Sequence, residues 1–229
     1  MKLLSIDTSS NICAVAILEN ETLLKEISQN NGFTHSENLM PMIQELFSAL
    51  NLTLNDIDLI VCDKGPGSFT GIRIGVASVK ALAEVNNLKI ADVSALESLS
   101  QNIEGEYDLK VSLIDARNNQ CYCGIFDSKN DLVDDYMADD INIILDKIGK
   151  IIKLKDNKIA FVGNGSTLHK DLILEKIPNA EFSNNNEQTA YSCGMIGLKK
   201  YQENKLENAD TILPKYLRKS QAERLKKDN

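Results

Sequence analysis

Short apolar runs separated by turn residues open the chain. Residues 3–6, 13–18 and 23–27 read as three strands, divided by Asp7-Thr8-Ser9-Ser10-Asn11 and by Glu19-Asn20-Glu21. Apolar positions then recur at helical spacing from about 36 to 50. A run at 57–62 reads as a buried strand, and a glycine-rich loop after it opens into a second helical pattern reaching Asn86. A strand at 88–93 and a short helix after Ser94 close this half, so the element order predicts a mixed sheet with helices packed on it.

A second half starts near Tyr107 and repeats the theme. Strands are predicted at 109–114, 121–126 and 132–137, a helix at 141–152, a strand at 159–162 ending in Gly163-Asn164-Gly165-Ser166, and a helix at 189–202. Residues 183–188 read as a polar loop. The halves echo each other in element order and not in residue identity. The residues alone thus predict an α/β chain of two subdomains, 1–103 and 104–229.

Two helices carry more apolar surface than one sheet contact requires. In the 36–50 helix, Leu39, Met40, Met42, Ile43, Leu46, Phe47, Ala49 and Leu50 cover about half the circumference. In the helix ending at Asn86, Arg73, Lys80 and Glu84 share one narrow stripe and nearly everything else is apolar or small. Either other helices of this chain cover these faces, or a partner does. The partner reading places Leu39, Met40, Ile43, Phe47, Ile72, Gly75, Val76 and Val79 in the interface. A charge at Ile43 or Val76 would then abolish association and leave the monomer folded.

The loop Gly65-Pro66-Gly67-Ser68-Phe69-Thr70-Gly71 at the strand-to-helix junction poses the central chemical question. Its glycines could free backbone N–H groups to cradle an anion, or could let two backbones approach closely. It lacks the Lys-Ser/Thr ending of a Walker loop, and it is one residue too long for a dinucleotide fingerprint.

Charge and cysteine usage narrow the function classes. The 229 residues carry a formal charge of −8, which argues against autonomous nucleic-acid binding; only the tail, with Lys215, Arg218, Lys219, Arg224, Lys226 and Lys227, is basic. The five cysteines form no even framework, and Cys121-x-Cys123 is too closely spaced for an ordinary zinc pair, so reduced thiols are expected. No apolar stretch approaches a membrane span and no targeting segment is read, so a cytoplasmic chain is expected. The aspartates between 127 and 140 lack the spacing of a calcium loop.

The residues 65–75, Gly-Pro-Gly-Ser-Phe-Thr-Gly-Ile-Arg-Ile-Gly, closely resemble the signature of the TsaB (YeaZ) family. Asp7-Thr8-Ser9, the segment His35-Ser36-Glu37-Asn38-Leu39-Met40-Pro41, Asp115-Ala116-Arg117 with Tyr122, and Pro214-x-Tyr216-Leu217-Arg218 followed by Ala222-Glu223 agree with it. One departure is Gln120, where the family usually has Glu. The resemblance implies the actin-like (ribonuclease H-like), sugar-kinase architecture in both halves. It implies a role in tRNA threonylcarbamoyladenosine modification, pairing with a TsaD-like catalytic subunit, work with a TsaE-like ATPase, contact with tRNA through the complex, and a homodimer when alone.

Catalysis by this chain is not expected. The related catalytic subunit holds its metal with His-x-x-x-His; here His35 is followed four residues on by Leu39, so no metal site is expected. The only other histidine, His169, stands far along the chain and completes no catalytic arrangement. By analogy with actin-like ATPases, Asp7, Thr8, Ser9, Gly163 and Gly165 are the candidates for weak nucleotide contact, with no other cofactor expected; ordinary turn chemistry is the favoured reading of them. The alternative function is an actin-like ATPase or metal-dependent peptidase-like hydrolase acting alone.

Overall fold

A computed structural model describes residues 1–30, 34–153 and 157–218. Its elements are β1 (Lys2–Asp7), β2 (Cys13–Glu19), β3 (Thr22–Gln29), α1 (His35–Leu50), β4 (Leu59–Asp63), α2 (Phe69–Asn86), β5 (Lys89–Val93), α3 (Ala95–Ser100), β6 (Leu109–Asp115), β7 (Gln120–Asp127), β8 (Met137–Asp140), α4 (Ile141–Lys153), β9 (Ile159–Val162), α5 (Asn164–Leu168), α6 (Lys170–Lys176), β10 (Glu181–Phe182) and α7 (Ala190–Gln202). They fall into two compact units. The first holds Met1–Ser98 with Gln188–Lys215, and the second holds Leu99–Glu187 with the tail from Tyr216.

The first unit is built on a five-stranded sheet in the order β3-β2-β1-β4-β5. β2 runs antiparallel to β1 and β3, while β1, β4 and β5 are mutually parallel. Alternation sends Leu4, Ile6, Val15, Ile17, Ile60 and Cys62 to the face covered by α1 and α2. Leu3, Ala14, Ala16, Leu18, Leu59, Val61, Ala91 and Val93 point to the other face, under α7. Both faces are therefore dry, which is why these strands read as continuous apolar runs. Small residues bring α7 close: a Cβ on Gly194 would lie 2.9 Å from Leu18 Cδ1, and one on Gly197 would strike the Val61 side chain. The division expected at 103/104 is corrected accordingly, because α7 buries its apolar face on the first sheet.

The second unit repeats the plan in the order β10-β9-β6-β7-β8, with β6, β9 and β10 parallel and β7 antiparallel to β6 and β8. Val111, Leu113, Cys121, Cys123 and Ile125 meet Ile141, Ile144, Leu145 and Ile148 of α4 and Ile173 and Ile177 of α6. The strand expected at 132–137 is displaced. Leu132 makes only an isolated bridge to Phe126, Asp134 turns to Lys147 at 2.7 Å, and pairing with β7 begins at Met137. This edge strand, half-buried throughout, needs no apolar alternation and so gives little sequence signal. The short elements α5, α6 and β10 were likewise not expected. Among the described residues, no helix is long and apolar enough to cross a membrane.

Candidate functional site

The glycine loop joins β4 to α2 in the first unit. Asp63 Oδ1 accepts the Gly65 N–H at 2.7 Å and the Gly65–Pro66 peptide is cis. Ser68 caps α2 by accepting the Gly71 N–H at 3.2 Å, and donates its own N–H to the Ser9 carbonyl at 2.7 Å. The Thr8 hydroxyl donates to the Gly71 carbonyl at 2.8 Å.

These contacts resolve the question posed by the glycines. A Cβ on Gly67 would fall on the Ser9 carbonyl oxygen, one on Gly71 on the Thr8 carbonyl oxygen, and one on Gly75 on the Thr8 hydroxyl. Gly67, Gly71 and Gly75 therefore let the loop and α2 lie directly against the β1–β2 turn. The loop packs closely on that turn, and a cavity of about 330 Å³ opens beside it, lined by Ser10, His35, Ser68, Thr70 and Gly71.

Asp7, Thr8 and Ser9 are buried beneath it. Asp7 Oδ1 accepts both the Ser9 N–H and the Ser9 hydroxyl at 2.8 Å, and Ser9 Oγ accepts Gln188 Nε2 at 2.7 Å. Burial raises the Asp7 carboxyl above its ordinary range; burial and then the Asp7 charge hold Asp63 well above it. The Thr8 and Ser9 hydroxyls thus each donate within the unit, to the Gly71 carbonyl and to Asp7. In the second unit, Gly163 (φ +100°) donates its N–H to Asn186 Oδ1 at 2.9 Å, and a Cβ there would meet the Leu113 carbonyl oxygen. A Cβ on Gly165 would lie 3.0 Å from Leu113 C, so both glycines seat α5 against β6.

His35 opens α1, whose start is fixed by Glu37 accepting the Thr34 N–H at 3.0 Å and the Thr34 hydroxyl at 2.8 Å. Nε2 of His35 lies 2.7 Å from the Ser10 carbonyl and so donates to it, while Nδ1 is buried without a partner. Leu39 lies in the core, and among the described residues no group of three or more His, Cys, Asp or Glu is placed to hold a metal ion. The five cysteines are free and buried. Burial pushes the Cys13 thiol up to about 11 and Cys121 to about 12.

The partner-facing assignment on α1 and α2 is largely corrected. Leu39, Ile43, Ile72, Gly75, Val76 and Val79 are buried in the unit's own core, so a charge at Ile43 or Val76 would unfold the monomer. Met40, 47 % exposed, and the half-buried Phe47 remain. They line an apolar groove of about 600 Å³ whose wall also includes the buried Ile43, with Pro41, Gln44, Ser48, Asn51, Leu52 and Leu82. Leu52 and Leu82 were not foreseen, since periodicity shows a wide face but not how core and surface divide it.

In the second unit the structure brings distant motifs together. Asp115 Oδ1 accepts the Arg117 N–H at 2.8 Å in the β6–β7 hairpin, where Arg117, Asn118 and Asn119 all have positive φ. Arg218 Nη1 donates to the Ala116 carbonyl at 2.8 Å. Gln120 pairs with Asp140 at the base of the hairpin. The remaining basic tail residues, Lys219, Arg224, Lys226 and Lys227, and Ala222-Glu223 lie outside the described residues.

The family model for TsaD, tRNA N6-adenosine threonylcarbamoyltransferase, matches residues 22–226. A Bacillus subtilis protein, tRNA threonylcarbamoyladenosine biosynthesis protein TsaB, is 32% identical over 228 residues, which is 97% of this chain and 96% of that one. A solved Pseudomonas aeruginosa protein with similarity to peptidase YeaZ superposes with a TM-score of 0.79 at 24% identity, over 95% of this chain and 99% of that one. A hexokinase from Thermus thermophilus superposes with a TM-score of 0.53 at 8% identity, over 89% of this chain and all of that one, which places the fold among actin-like and sugar-kinase architectures.

Proposed function

The chain belongs to the TsaB (YeaZ) family, and from that premise we propose that it is a non-catalytic scaffold subunit of a cytoplasmic tRNA threonylcarbamoyladenosine-modifying complex. It docks on a TsaD-like catalytic subunit, works with a TsaE-like ATPase, meets tRNA through that complex, and forms a homodimer when alone. The observation that carries this reading is the groove on α1: an open apolar recess of about 600 Å³ on a chain of net charge −8. The glycine loop supports the non-catalytic part, because its glycines serve close packing on Thr8 and Ser9 and its sequence lacks a complete phosphate-binding signature.

The test is association through that groove. Met40→Glu and Ser48→Arg place charges on exposed lining positions, where an apolar partner would bury them at a cost of several kcal/mol. Light scattering and co-purification with the catalytic partner should show association lost, with circular dichroism unchanged. Both variants associating like the wild type would reject the docking surface. ATP turnover or one tightly held metal ion per chain in the purified protein would favour the solitary ATPase or hydrolase instead.

A further inference from the structure

Two carboxyl groups lie side by side beneath the glycine loop, out of contact with water. β1 and β4 run parallel with Ile6 opposite Cys62. Asp7 and Asp63, next along each strand, therefore share a row and leave the sheet on the same face. Asp7 is 1% exposed and Asp63 0%. Asp7 Oδ1 is taken by Ser9 and Asp63 Oδ1 by the Gly65 N–H. The Oδ2 atom of each is buried with no other donor. Two carboxylates so placed would repel strongly, whereas one proton between them satisfies both oxygens.

We propose that Asp7 and Asp63 share a single proton at neutral pH, and that this proton latches the glycine loop onto the β1–β2 turn. Asp7 grips the turn through Ser9, Asp63 grips the loop through Gly65, and the proton joins the two grips. Its loss sets two anions against each other at the seam where Ser68 N–H meets the Ser9 carbonyl and the Thr8 hydroxyl meets the Gly71 carbonyl. The surrounding groups decide which carboxyl keeps it. His35 at the start of α1 favours charge on Asp7, while Glu97 of α3 disfavours charge on Asp63. Cys13, Cys62 and Cys193 close in from β2, β4 and α7 as neutral thiols, Gln188 reaches Ser9, and the Lys64–Asp92 ion pair lies beside Cys62. The proton rests on Asp63.

Both carboxyls are raised in the folded state, chiefly by burial. Their contribution to stability is full below the unfolded carboxylate value of about 3.9 and is lost as the pH rises through the raised folded values. Carboxyl-carbon NMR of the full chain should show one aspartate still protonated above about pH 7. The urea midpoint should fall as the pH rises above the ordinary carboxylate range, and Asp63→Asn should flatten that fall, because its amide can donate to Asp7 Oδ2 and cannot ionise. Asp7→Asn should not flatten it equally. All aspartate carbons titrating in the ordinary acidic range would overturn the proposal, as would an unchanged pH slope in Asp63→Asn. Should that variant fail to fold, the wild-type titration decides the matter.

Discussion

Replacing Gly71 with Ala puts a methyl group where the Thr8 carbonyl oxygen already lies, with His35 Cδ2 2.9 Å away. Neither neighbour can yield by changing rotamer. One is backbone in a buried turn, and the ring is held by Nε2 on the Ser10 carbonyl at 2.7 Å. To restore a carbon–oxygen separation of about 3.3 Å, the start of α2 must move outward by roughly 1 Å. That shift strains the bonds from the Thr8 hydroxyl to the Gly71 carbonyl and from the Ser68 N–H to the Ser9 carbonyl, each worth about 1 kcal/mol. Overpacking strain adds about 1–3 kcal/mol, and the better helix propensity of Ala returns at most about 1 kcal/mol. The expected net loss is about 2–4 kcal/mol, read from urea unfolding followed by circular dichroism. Gly149→Ala is the control: it lies within α4 with nothing inside 4 Å of the added methyl, and should gain up to about 1 kcal/mol. A Gly71→Ala protein within about 0.5 kcal/mol of wild type would refute the close-packing account of the loop.

Two further outcomes are expected. All five thiols should resist a thiol-specific disulfide reagent at about pH 8 in the native protein and react in urea, since each is buried and burial raises Cys13, Cys62, Cys121, Cys123 and Cys193 alike; rapid labelling of one in the folded state would contradict the burial. Asn51→Val should lower stability by about 1–2 kcal/mol and Asn51→Gly should not, because Asn51 ends α1 with φ +52°; equal unfolding midpoints for the two variants would show that this terminus is not left-handed in solution.

Local rules carried the sequence reading where an element makes its own signal. The strands β1, β2 and β4 are apolar on both faces, so runs such as Ile60-Val61-Cys62 announced them without any knowledge of neighbours. The first helices followed from spacing at 3.6 residues, and the motif residues from 65 to 75 identified a family. The edge strand β8 was misplaced because Met137–Asp140 is held by pairing with β7, not by any apolar alternation of its own.

What the sequence by itself determined is thus the α/β class, the two repeated halves and the loop on which the chemistry turns. The tertiary structure decided the rest, because each remaining choice depends on what lies opposite a residue. Periodicity gave Ile43 and Met40 the same apolar helix face, but the sheet covers Ile43 and leaves Met40 open. Glycine spacing was compatible with an anion or with another backbone; the carbonyl groups of Thr8 and Ser9, far away in sequence, chose the backbone. Nothing local marks Asp7 and Asp63 as a pair either. Only the parallel register of β1 and β4 sets them in one row, and only burial from both sheet faces turns two ordinary aspartates into neighbours that must settle a single proton between them.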